Sequence, residues 1–566
     1  MCVLCCRNLF LDSWTASYRF CTPLLVAIPE EELVNSIFRG RRYDVAICGA
    51  GPVGMTAAAL LAARGLDVVV LEQRMTTSDE PKAISIDDEA LRVYQQAGIA
   101  DAVMRIMVPG TGTQYFDSDN KPLFHARAAV PYRLGYPFKN PFAQPDLERV
   151  LLSALHDHPN VDVHFGTEVT GVEQDRDRAT ISTTDGDVVA RYALGCDGGR
   201  STMRELFGVT MSGRSYPDVW LVVDTLGDFH TERFGMHHGD PERPHVIVPG
   251  LGGRCRYEFR LFSGEGEPTD TPSFELIERL LRRYRAIPPE QVERAVNYRF
   301  NAVVADDWQV GRCFLLGDAA HMMPPFAGQG LNSGIRDAAN LSWKIADVLD
   351  GRLHESSLRS YQSERSPHVV ATVRASERLG RVVMTTSPRL ARRRDELVGA
   401  ALATSEGRTF FEEMRYRPVQ QFTDGLVVSG PNVGVPVGQP RAFDTIDQRI
   451  GLLDQSLGHG WALVGVDVTS EEDWANVSVV AALFNATAAC VPVDEILPRL
   501  QQRVLIDVDG GLNREFDCYR GRFVLLRPDH FVAAAWYPQD TAQVTDVLRT
   551  WAPDFQTSHS ESLGKA

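Results

Sequence analysis

YDVAICGAGPVGMTAAALLAARGLDVVVLEQR, residues 43–74, is the stretch that decides the fold. It predicts a buried strand over 43–48, a turn with the spacing G-x-G-x-x-G, an alanine-rich helix over 53–64, and a second strand over 68–71. Glycines at this spacing allow a tight turn, the close approach of a phosphate group, and tight packing of helix on strand. The unit is therefore predicted to bind a dinucleotide at the start of its helix.

The contacts expected from this unit are specific. We predict that Gly49, Gly51 and Gly54 surround a pyrophosphate, and that Glu72 accepts hydrogen bonds from an adenosine ribose, with Gln73 beside it. An acid at the position of Glu72 suits the ribose of FAD or NAD.

A second stretch, GRCFLLGDAAHMMPPFAGQGLNSGIRDAANLSWKI, covers residues 311–345. It predicts a buried strand over 313–316, with Asp318 just past its end, where open α/β sheets bind ligands. A Gly/Pro loop follows, and we expect a helix to begin at 331–334 with Asn332 and Ser333 as capping residues. The positive end of such a helix would stabilise a negative charge on a reduced flavin.

Two shorter segments add polar groups to the same site. In ALGCDGGRSTMR, residues 193–204, a strand runs into Asp197 and two glycines, with arginines that suit phosphates or a carboxylate. In PKAISIDDEALRVYQQAG, residues 81–98, Lys82 precedes a helix over 89–96. The cap of that helix is left open among three residues: Ser85, Asp87 and Asp88.

Composition limits the class of protein. The 566 residues predict two or three domains, and the formal charge of −16 disfavours nucleic acid or an anionic membrane as a partner. No apolar run reaches the roughly 20 residues that span a bilayer. The ten cysteines are scattered or lie in apolar runs, as in reduced cytoplasmic proteins, and we expect no metal site. Residues 1–40 are interpreted as a disordered extension or an over-called start, not a secretory signal.

The remaining pattern predicts the domain order. Residues 41–425 are expected to form a nucleotide-binding domain, interrupted around 211–300 by an antiparallel sheet. A Gly/Pro-rich linker over 426–440 leads to a small α/β domain over 441–566. That domain has Cys490 and Cys518 but no C-x-x-C, so a redox role of its own is not expected.

Local patterns in the first domain are also specific. We predict a helix over 144–155, a hairpin turn at Asp185-Gly186, and helices over 355–390 and 391–417. GLGGR, residues 250–254, lacks a βαβ context, so it is interpreted as a hairpin turn and not as a second dinucleotide loop.

The order of three motifs in this chain resembles that of the flavoprotein aromatic hydroxylases. The motifs are G-x-G-x-x-G with Glu72, DGxRSxxR at 197–204, and GDAAH…PPFAGQGLNSGxxDAxNL at 317–341. These hydroxylases are single-component FAD monooxygenases with the fold of p-hydroxybenzoate hydroxylase. The resemblance covers about residues 43–390, and the C-terminal part resembles the thioredoxin-like tail of the phenol hydroxylases. It implies an α/β fold: a Rossmann-like FAD-binding domain, an inserted antiparallel-sheet substrate domain and a thioredoxin-like α/β domain.

The resemblance also implies roles for individual residues. Lys82 takes the place of a usual arginine near the pyrophosphate, and Gln144 reaches the flavin. Asp197 and Asp318 hold FAD, the latter near the ribityl chain. The helix start contacts the flavin ring through Gly330, Leu331 and Asn332. The backbone carbonyl of Pro325 faces the substrate ring and is the one catalytic group that the resemblance implies.

Four segments, including KAISIDDEALR at 82–92 and RPDHFVAA at 527–534, are most similar to the members that act on 3-(3-hydroxyphenyl)propionate. This implies that NADH, with NADPH left open, reduces FAD, which activates O2 as a C4a-hydroperoxide. The product expected from 3-(3-hydroxyphenyl)propionate, and from 3-hydroxycinnamate, is the 2,3-dihydroxy catechol of an aromatic acid catabolic route. A homodimer is left open.

Two alternatives stay open from the sequence. One is a hydroxylase of another phenol or an aromatic polyketide, and the other is a non-catalytic FAD-fold binding protein. The base and the substrate-carboxylate anchor are not assigned: Tyr257, Arg260 and His321 are candidates, each more readily interpreted as structural.

Overall fold

The computed structural model describes residues 38, 40–110, 112–127, 129–494 and 502–553. The expectation of a disordered extension over 1–40 falls almost wholly outside these ranges. The described residues form three large sheets and a two-stranded one. Within the described part of the chain, no helix is both long and apolar enough to cross a membrane.

The first sheet, here called the nucleotide sheet, is mostly parallel and buried. Its strands lie in the order Gln309–Val310, Cys313–Leu315, Gly186–Gly195, Arg42–Cys48, Val68–Glu72 and Val161–Phe165. The hairpin of Val169–Gln174 and Ala179–Thr183 extends from Gly186–Gly195, so the predicted turn at Asp185-Gly186 is confirmed. The apolar run of each central strand reflects helices on both faces.

These helices are Pro52–Ala62, Asp88–Gln96, Ala100–Met104, Gln144–His156, Thr202–Leu206, Gly330–Leu349 and Ser360–Val383. Of the three residues proposed as the cap of the helix Asp88–Gln96, Asp87 is the one that caps it, because its side chain accepts from the backbone N–H of Ala90 at 3.0 Å. The region predicted as two helices over 355–417 contains three: Ser360–Val383, Pro388–Leu402 and Ser405–Glu412. Ser387 and Thr404 cap the second and third, which is why the chain breaks there.

The second sheet, here called the cavity sheet, is the predicted antiparallel insertion with additions. Its strands lie in the order His321–Met322, Val292–Ala305, Met211–Thr225, Cys255–Arg260, His245–Pro249, Gly235–His238, Thr113–Phe116 and Pro122–Ala126. The last two strands come from outside the predicted 211–300 region, and Thr113–Phe116 pairs in parallel with Gly235–His238. The GLGGR segment is the hairpin turn expected, joining His245–Pro249 to Cys255–Arg260.

The C-terminal region forms the third sheet, in the order Arg449–Leu452, Arg441–Asp444, Arg503–Asp507, Thr487–Val491, Ala462–Val466, Arg522–Leu526 and Val532–Trp536. Its helices are Leu453–Leu457, Glu471–Phe484, Gly511–Phe516 and Thr541–Arg549. The βαβ–ββα core, with Arg522–Leu526 antiparallel to Ala462–Val466, is the thioredoxin-like arrangement implied by the sequence. The sequence missed the strands Arg441–Asp444 and Arg449–Leu452.

A buried ion cluster joins this region to the first domain. Glu364 accepts from Arg527 at 2.7 Å and from Lys344 at 2.8 Å, and all three side chains are fully buried. Burial alone would raise the pKa of Glu364, but the charges of Arg527 and Lys344 outweigh it and bring the pKa to about 2. Glu364 therefore stays ionised and compensates two buried cations.

We predict that Glu364→Gln destabilises the protein by about 3 kcal/mol or more, because removing one partner of a buried ion pair leaves uncompensated charge. Urea unfolding followed by tryptophan fluorescence measures this, since Trp343 lies 5.2 Å from the Arg527 guanidinium. Glu396→Gln is the control: its ion pair with Arg393 is about two-thirds exposed on both sides, and a change below about 0.5 kcal/mol is expected. Equal effects of the two variants would contradict the role given to the cluster.

The same cluster predicts acid sensitivity. The folded-state pKa of Glu364 lies below the unfolded value of about 4.3, so its stabilisation is complete above that pH and is lost as pH falls toward 2. Unfolding free energies of the wild type and of Glu364→Gln, measured between pH 6 and pH 3, should converge at low pH. A constant difference over this range would show that folding does not shift the pKa of Glu364, which would contradict the stabilising role of its ion pairs.

Candidate active site

A cavity of about 680 Å³ lies between the carboxyl edge of the nucleotide sheet and one face of the cavity sheet. Eleven of the thirteen residues predicted for the site line it: Gly49, Gly51, Glu72, Gln73, Lys82, Gln144, Asp197, Asp318, Pro325, Gly330 and Leu331. The other two, Gly54 and Asn332, stand behind its wall.

Sheet topology brings the separate motifs together. The strands Cys313–Leu315, Gly186–Gly195, Arg42–Cys48 and Val68–Glu72 are adjacent and parallel. The carboxyl ends of parallel strands meet at one edge of a sheet. The acidic and glycine residues that end these four strands therefore share one crevice, although they are spread over nearly half the chain.

The glycines of the turn have distinct roles. Gly49 has φ +108°, and a Cβ there would meet the carbonyl oxygen of Cys196 at 2.5 Å. A Cβ on Gly54 would collide with the carbonyl oxygen of Gly49, so this glycine lets the helix pack on the turn. Gly51 lines the cavity and has no atom within 4 Å of the place where a Cβ would stand. That open space beside a helix start is where a phosphate group fits.

Glu72 is held as an acceptor at the end of its strand. One carboxylate oxygen accepts from the N–H of Ala50 at 2.9 Å, and the other accepts from the backbone and side chain of Arg74. Burial raises the pKa of Glu72, but these hydrogen bonds outweigh it and lower the pKa below its usual value. The ionised carboxylate can accept from a ribose diol.

The remaining acids and amides are positioned by their own loops. Asp197 accepts from Ser201 Oγ at 2.6 Å and from the N–H of Met203 at 2.9 Å, which fixes the loop after its strand. Asp318 is exposed to the cavity, while desolvation by the surrounding protein raises the pKa of its carboxyl. Gln144 accepts from the N–H of Ala83 at 2.8 Å. Lys82 lies at the rim, 3.6 Å from Glu80.

The long helix begins earlier than predicted, at Gly330, and Gln329 precedes it without a side-chain cap. The expectation that Asn332 and Ser333 cap this helix is wrong. Asn332 instead accepts from the N–H of Asp87 at 3.1 Å and donates to the carbonyls of Ser85 and Gly328. Its side chain therefore ties the loop to the neighbouring segment, and the N–H groups of the first turn stay free for a ligand.

One face of the cavity sheet forms the opposite wall, and the sequence analysis missed its polar residues. Pairing aligns Val296, Val222, Glu258, Val246 and His237 in one row across five strands. A neighbouring row contains Arg294, Asp224 and Arg256. Lys139 lines the cavity as well.

A signal for these residues was present in the strand Cys255–Arg260. Its odd positions, Cys255, Tyr257 and Phe259, belong to an apolar core on one face, whereas Arg256 and Glu258 are buried on the other. Alternation of apolar and charged residues on a strand usually indicates a solvated face. Here the charged face is buried, with Arg256 bonded to Asp224 at 2.6 Å. Burial raises the pKa of Glu258.

The three open candidates for base or anchor do not line the cavity. Tyr257 donates to Asp228 at 2.7 Å on the opposite face of the sheet. Arg260 bonds Asp218 and the carbonyl of Met384. His321 is fully buried and bonds Asp337 at 2.6 Å, so it orders the loop, as its interpretation as structural implied.

The arrangement fits FAD. Glu72 marks a site for the ribose, and Gly51 with its helix start marks a site for the pyrophosphate. Gly330 and Leu331 form a second helix start, and Asp318 lies between it and the first two sites. The positive end of the buried helix Gly330–Leu349 suits the anionic edge of a reduced isoalloxazine.

Comparisons with known proteins give matches over most of the chain. The family described as FAD binding domain matches residues 42–376, and the HcaD C-terminal domain matches residues 434–550. A 3-(3-hydroxyphenyl)propionate/3-hydroxycinnamic acid hydroxylase from Mycobacterium sp. (strain KMS) is 37% identical over 528 residues, which cover 89% of this chain and 90% of that protein. A protein with the same name, numbered 2, from Burkholderia vietnamiensis (strain G4 / LMG 22486) is 33% identical, over 91% of this chain and 97% of that one.

Solved structures share the fold. The flavin-dependent monooxygenase PieE, in complex with FAD and substrate, superposes with a TM-score of 0.75 at 20% identity, covering 90% of this chain and all of that one. Aklavinone-11 hydroxylase with FAD and aklavinone gives a TM-score of 0.72 at 22% identity, covering 90% of this chain and 98% of that one.

We predict that Gly54→Ala lowers the affinity for FAD about tenfold or more, because relieving the collision with Gly49 costs roughly 1–3 kcal/mol and displaces the turn. Fluorescence titration of the apoprotein with FAD measures this. Gly399→Ala is the control, since Gly399 is exposed on the helix Pro388–Leu402 with no atom within 4 Å of a Cβ. Unchanged FAD affinity in Gly54→Ala would contradict the packing role.

Proposed function

The chain belongs to the FAD-binding-domain family of flavin-dependent hydroxylases, and from that premise we propose that it ortho-hydroxylates 3-(3-hydroxyphenyl)propionate and 3-hydroxycinnamate with NADH and O2. The products are the 2,3-dihydroxy catechol, NAD⁺ and water. The observation that carries this proposal is the single cavity that joins the cofactor loops to a wall with apolar and ionisable groups.

The substrate class is supported by the two relatives above, 37% and 33% identical over most of the chain, whose names give the same two substrates. The solved structures of PieE and of aklavinone-11 hydroxylase are only 20–22% identical to this chain, so they support the fold and not a substrate. A phenolic acid also suits the wall, which places Val246 between Glu258 and His237.

FAD, when bound and reduced, supplies the activation of O2 for transfer to an electron-rich ring. We propose that Gly49, Gly51, Glu72 and Asp197 hold its adenine half, and that Asp318, Gly330 and Leu331 hold the flavin half. NADH binds transiently, because the GLGGR segment is a hairpin turn and not a second dinucleotide loop.

The chain's own groups must orient the phenol and exclude water from the reacting atoms. We assign the carbonyl of Pro325 to face the substrate ring, since it lies in the loop before the long helix and lines the cavity. Phe326 packs edge-on against Trp220 at 5.5 Å and Phe300 at 5.4 Å, which closes the cavity beside that carbonyl with apolar rings.

A cytoplasmic location is part of the proposal. The six described cysteines, five of them buried, are all free thiols, as in reducing compartments.

The deciding experiment is NADH-dependent oxygen uptake by the FAD-loaded protein, with and without 3-(3-hydroxyphenyl)propionate. We expect strong stimulation, a catechol product by mass spectrometry, and little oxygen returned on adding catalase, because a closed site couples oxygen transfer to reduction. Replacing NADH by NADPH tests the reductant in the same assay.

The other outcomes are informative. Stimulation with mostly peroxide would show that a different phenol is the substrate. Absence of stimulation by this and other phenols, in protein that retains FAD, would refute the hydroxylase function and leave a non-catalytic FAD-binding protein.

A further inference from the structure

Lys139 is held in the cavity wall by an unusual backbone conformation. Its φ is +56°, a left-handed value that non-glycine residues adopt rarely and at an energetic cost. The position is fixed by Asn140, which pairs with Ile86 and whose side chain bonds the backbone of Gly110, Ile86 and Pro137. The ammonium lies beside the loop before the long helix, 3.9 Å from where a Cβ of Gly328 would stand.

The ammonium of Lys139 has no counter-ion in the described part of the chain. No ion pair or hydrogen bond of its side chain is found there, whereas Arg256 and Arg294, which line the cavity from the cavity sheet, both pair with Asp224, at 2.6 and 3.6 Å. An unpaired cation away from bulk water is costly unless an anion binds it. Arg200 also lines the cavity without an ion pair among the described residues, but it is exposed, whereas Lys139 is half-buried. Lys139 is therefore the more shielded of the two cavity cations whose partner is not supplied by the described protein.

His237 is a second polar group without a partner, on the neighbouring wall. It is 7% exposed, lines the cavity and packs against Tyr115 with ring centroids 5.0 Å apart. Its Nδ1 is fully buried, and no described residue hydrogen-bonds to it. Desolvation, with the nearby charge of Lys139, lowers the pKa of His237 to about 3, so the imidazole is neutral and has one N–H to donate.

We propose that Lys139 and His237 together form the anchor for the carboxylate of the phenolic acid substrate, an inference that rests on the proposed function. A carboxylate between them would pair one oxygen with the ammonium and accept through the other from the imidazole N–H. Neither group was found by motif, and no carboxylate anchor was assigned from the sequence.

The register of the sheet then places the rest of the substrate. His237 lies two strands from Glu258, with Val246 between them. At about 4.8 Å per strand, the two polar groups are roughly 10 Å apart. With the carboxylate at His237, the aromatic ring lies over Val246 and the phenol hydroxyl points toward Glu258.

The test is ligand binding to the oxidised, FAD-loaded protein, followed by flavin absorbance changes or calorimetry. Lys139→Met should weaken 3-(3-hydroxyphenyl)propionate at least about tenfold, because its carboxylate loses the ion pair. It should change the affinity for 3-ethylphenol, which has no carboxylate, less than about twofold. Equal weakening for both ligands, or none for the acid, would overturn the anchor.

Three further variants separate the anchor from a structural role. Lys121→Met is the matched control, since that lysine is 73% exposed on its side chain, pairs with Asp119 and does not line the cavity. His237→Phe keeps the ring packing on Tyr115 but should weaken the acid, and His237→Asn, which keeps an N–H donor, should restore part of the affinity. Equal affinities of the phenylalanine and asparagine variants would remove His237 from the anchor.

A pH profile gives an independent readout. Desolvation and the charge of Arg417 lower the pKa of Lys139 to about 8, and the charge of Asp87 opposes them. His237, with its pKa lowered to about 3, stays neutral over the pH range of the titration. The bound anion favours the ammonium, so affinity for 3-phenylpropionate, which has no phenol, should fall as pH rises above about 8. A flat profile in the wild type, or the same slope in Lys139→Met, would contradict the proposal.

The anchor and the proposed function fail in different ways. If the wild type forms the catechol but Lys139→Met binds the acid as tightly, the anchor alone is refuted. If the FAD-loaded wild type neither binds nor oxidises phenols, the function is refuted first.

Discussion

Charge compensation along the buried helix Gly330–Leu349 is the constraint on which the rest of the structure depends. Asp337 accepts from the N–H of Gly317 at 3.1 Å, from His321 at 2.6 Å and from Arg365 at 2.9 Å. An ionised group buried without partners costs several kcal/mol, so each charge of this helix fixes a neighbour. Asp337 thereby sets the loop that carries Asp318 and presents it to the cavity.

The other charged residues of the helix pair with residues that lie before and after it in the chain. Arg336 pairs with Asp87 at 2.6 Å, which holds the segment that contains Lys82 against the cofactor loop. Lys344 meets Glu364 and through it Arg527 of the C-terminal region, and Asp347 accepts from the indole of Trp461 at 2.7 Å. The described residues of the C-terminal region contribute nothing to the cavity lining, and this region therefore supports, from outside, the helix whose first turn faces the flavin site.

The cavity divides the chemistry between two sheets of different construction. The nucleotide sheet offers strand ends and helix starts, which bind phosphates and ribose through backbone and acids. The cavity sheet offers a face, where alternate residues project from antiparallel strands and set polar groups at fixed spacings. One wall thus binds the cofactor through a pattern shared by many proteins, and the other can be changed residue by residue to select a substrate.

The sequence by itself determined the βαβ unit, the order of the three cofactor motifs and most strand and helix positions. These depend on local rules: glycine where a Cβ collides, as at Gly49 and Gly54, and apolar runs where a strand is covered on both faces. Tertiary structure alone decided which polar residues face the cavity. Lys139, His237 and Glu258 have no motif, and Asn332 looks like a helix cap but serves a neighbouring segment. Their roles depend on strand register and on the absence or presence of a partner distant in sequence, and neither is encoded in local spacing.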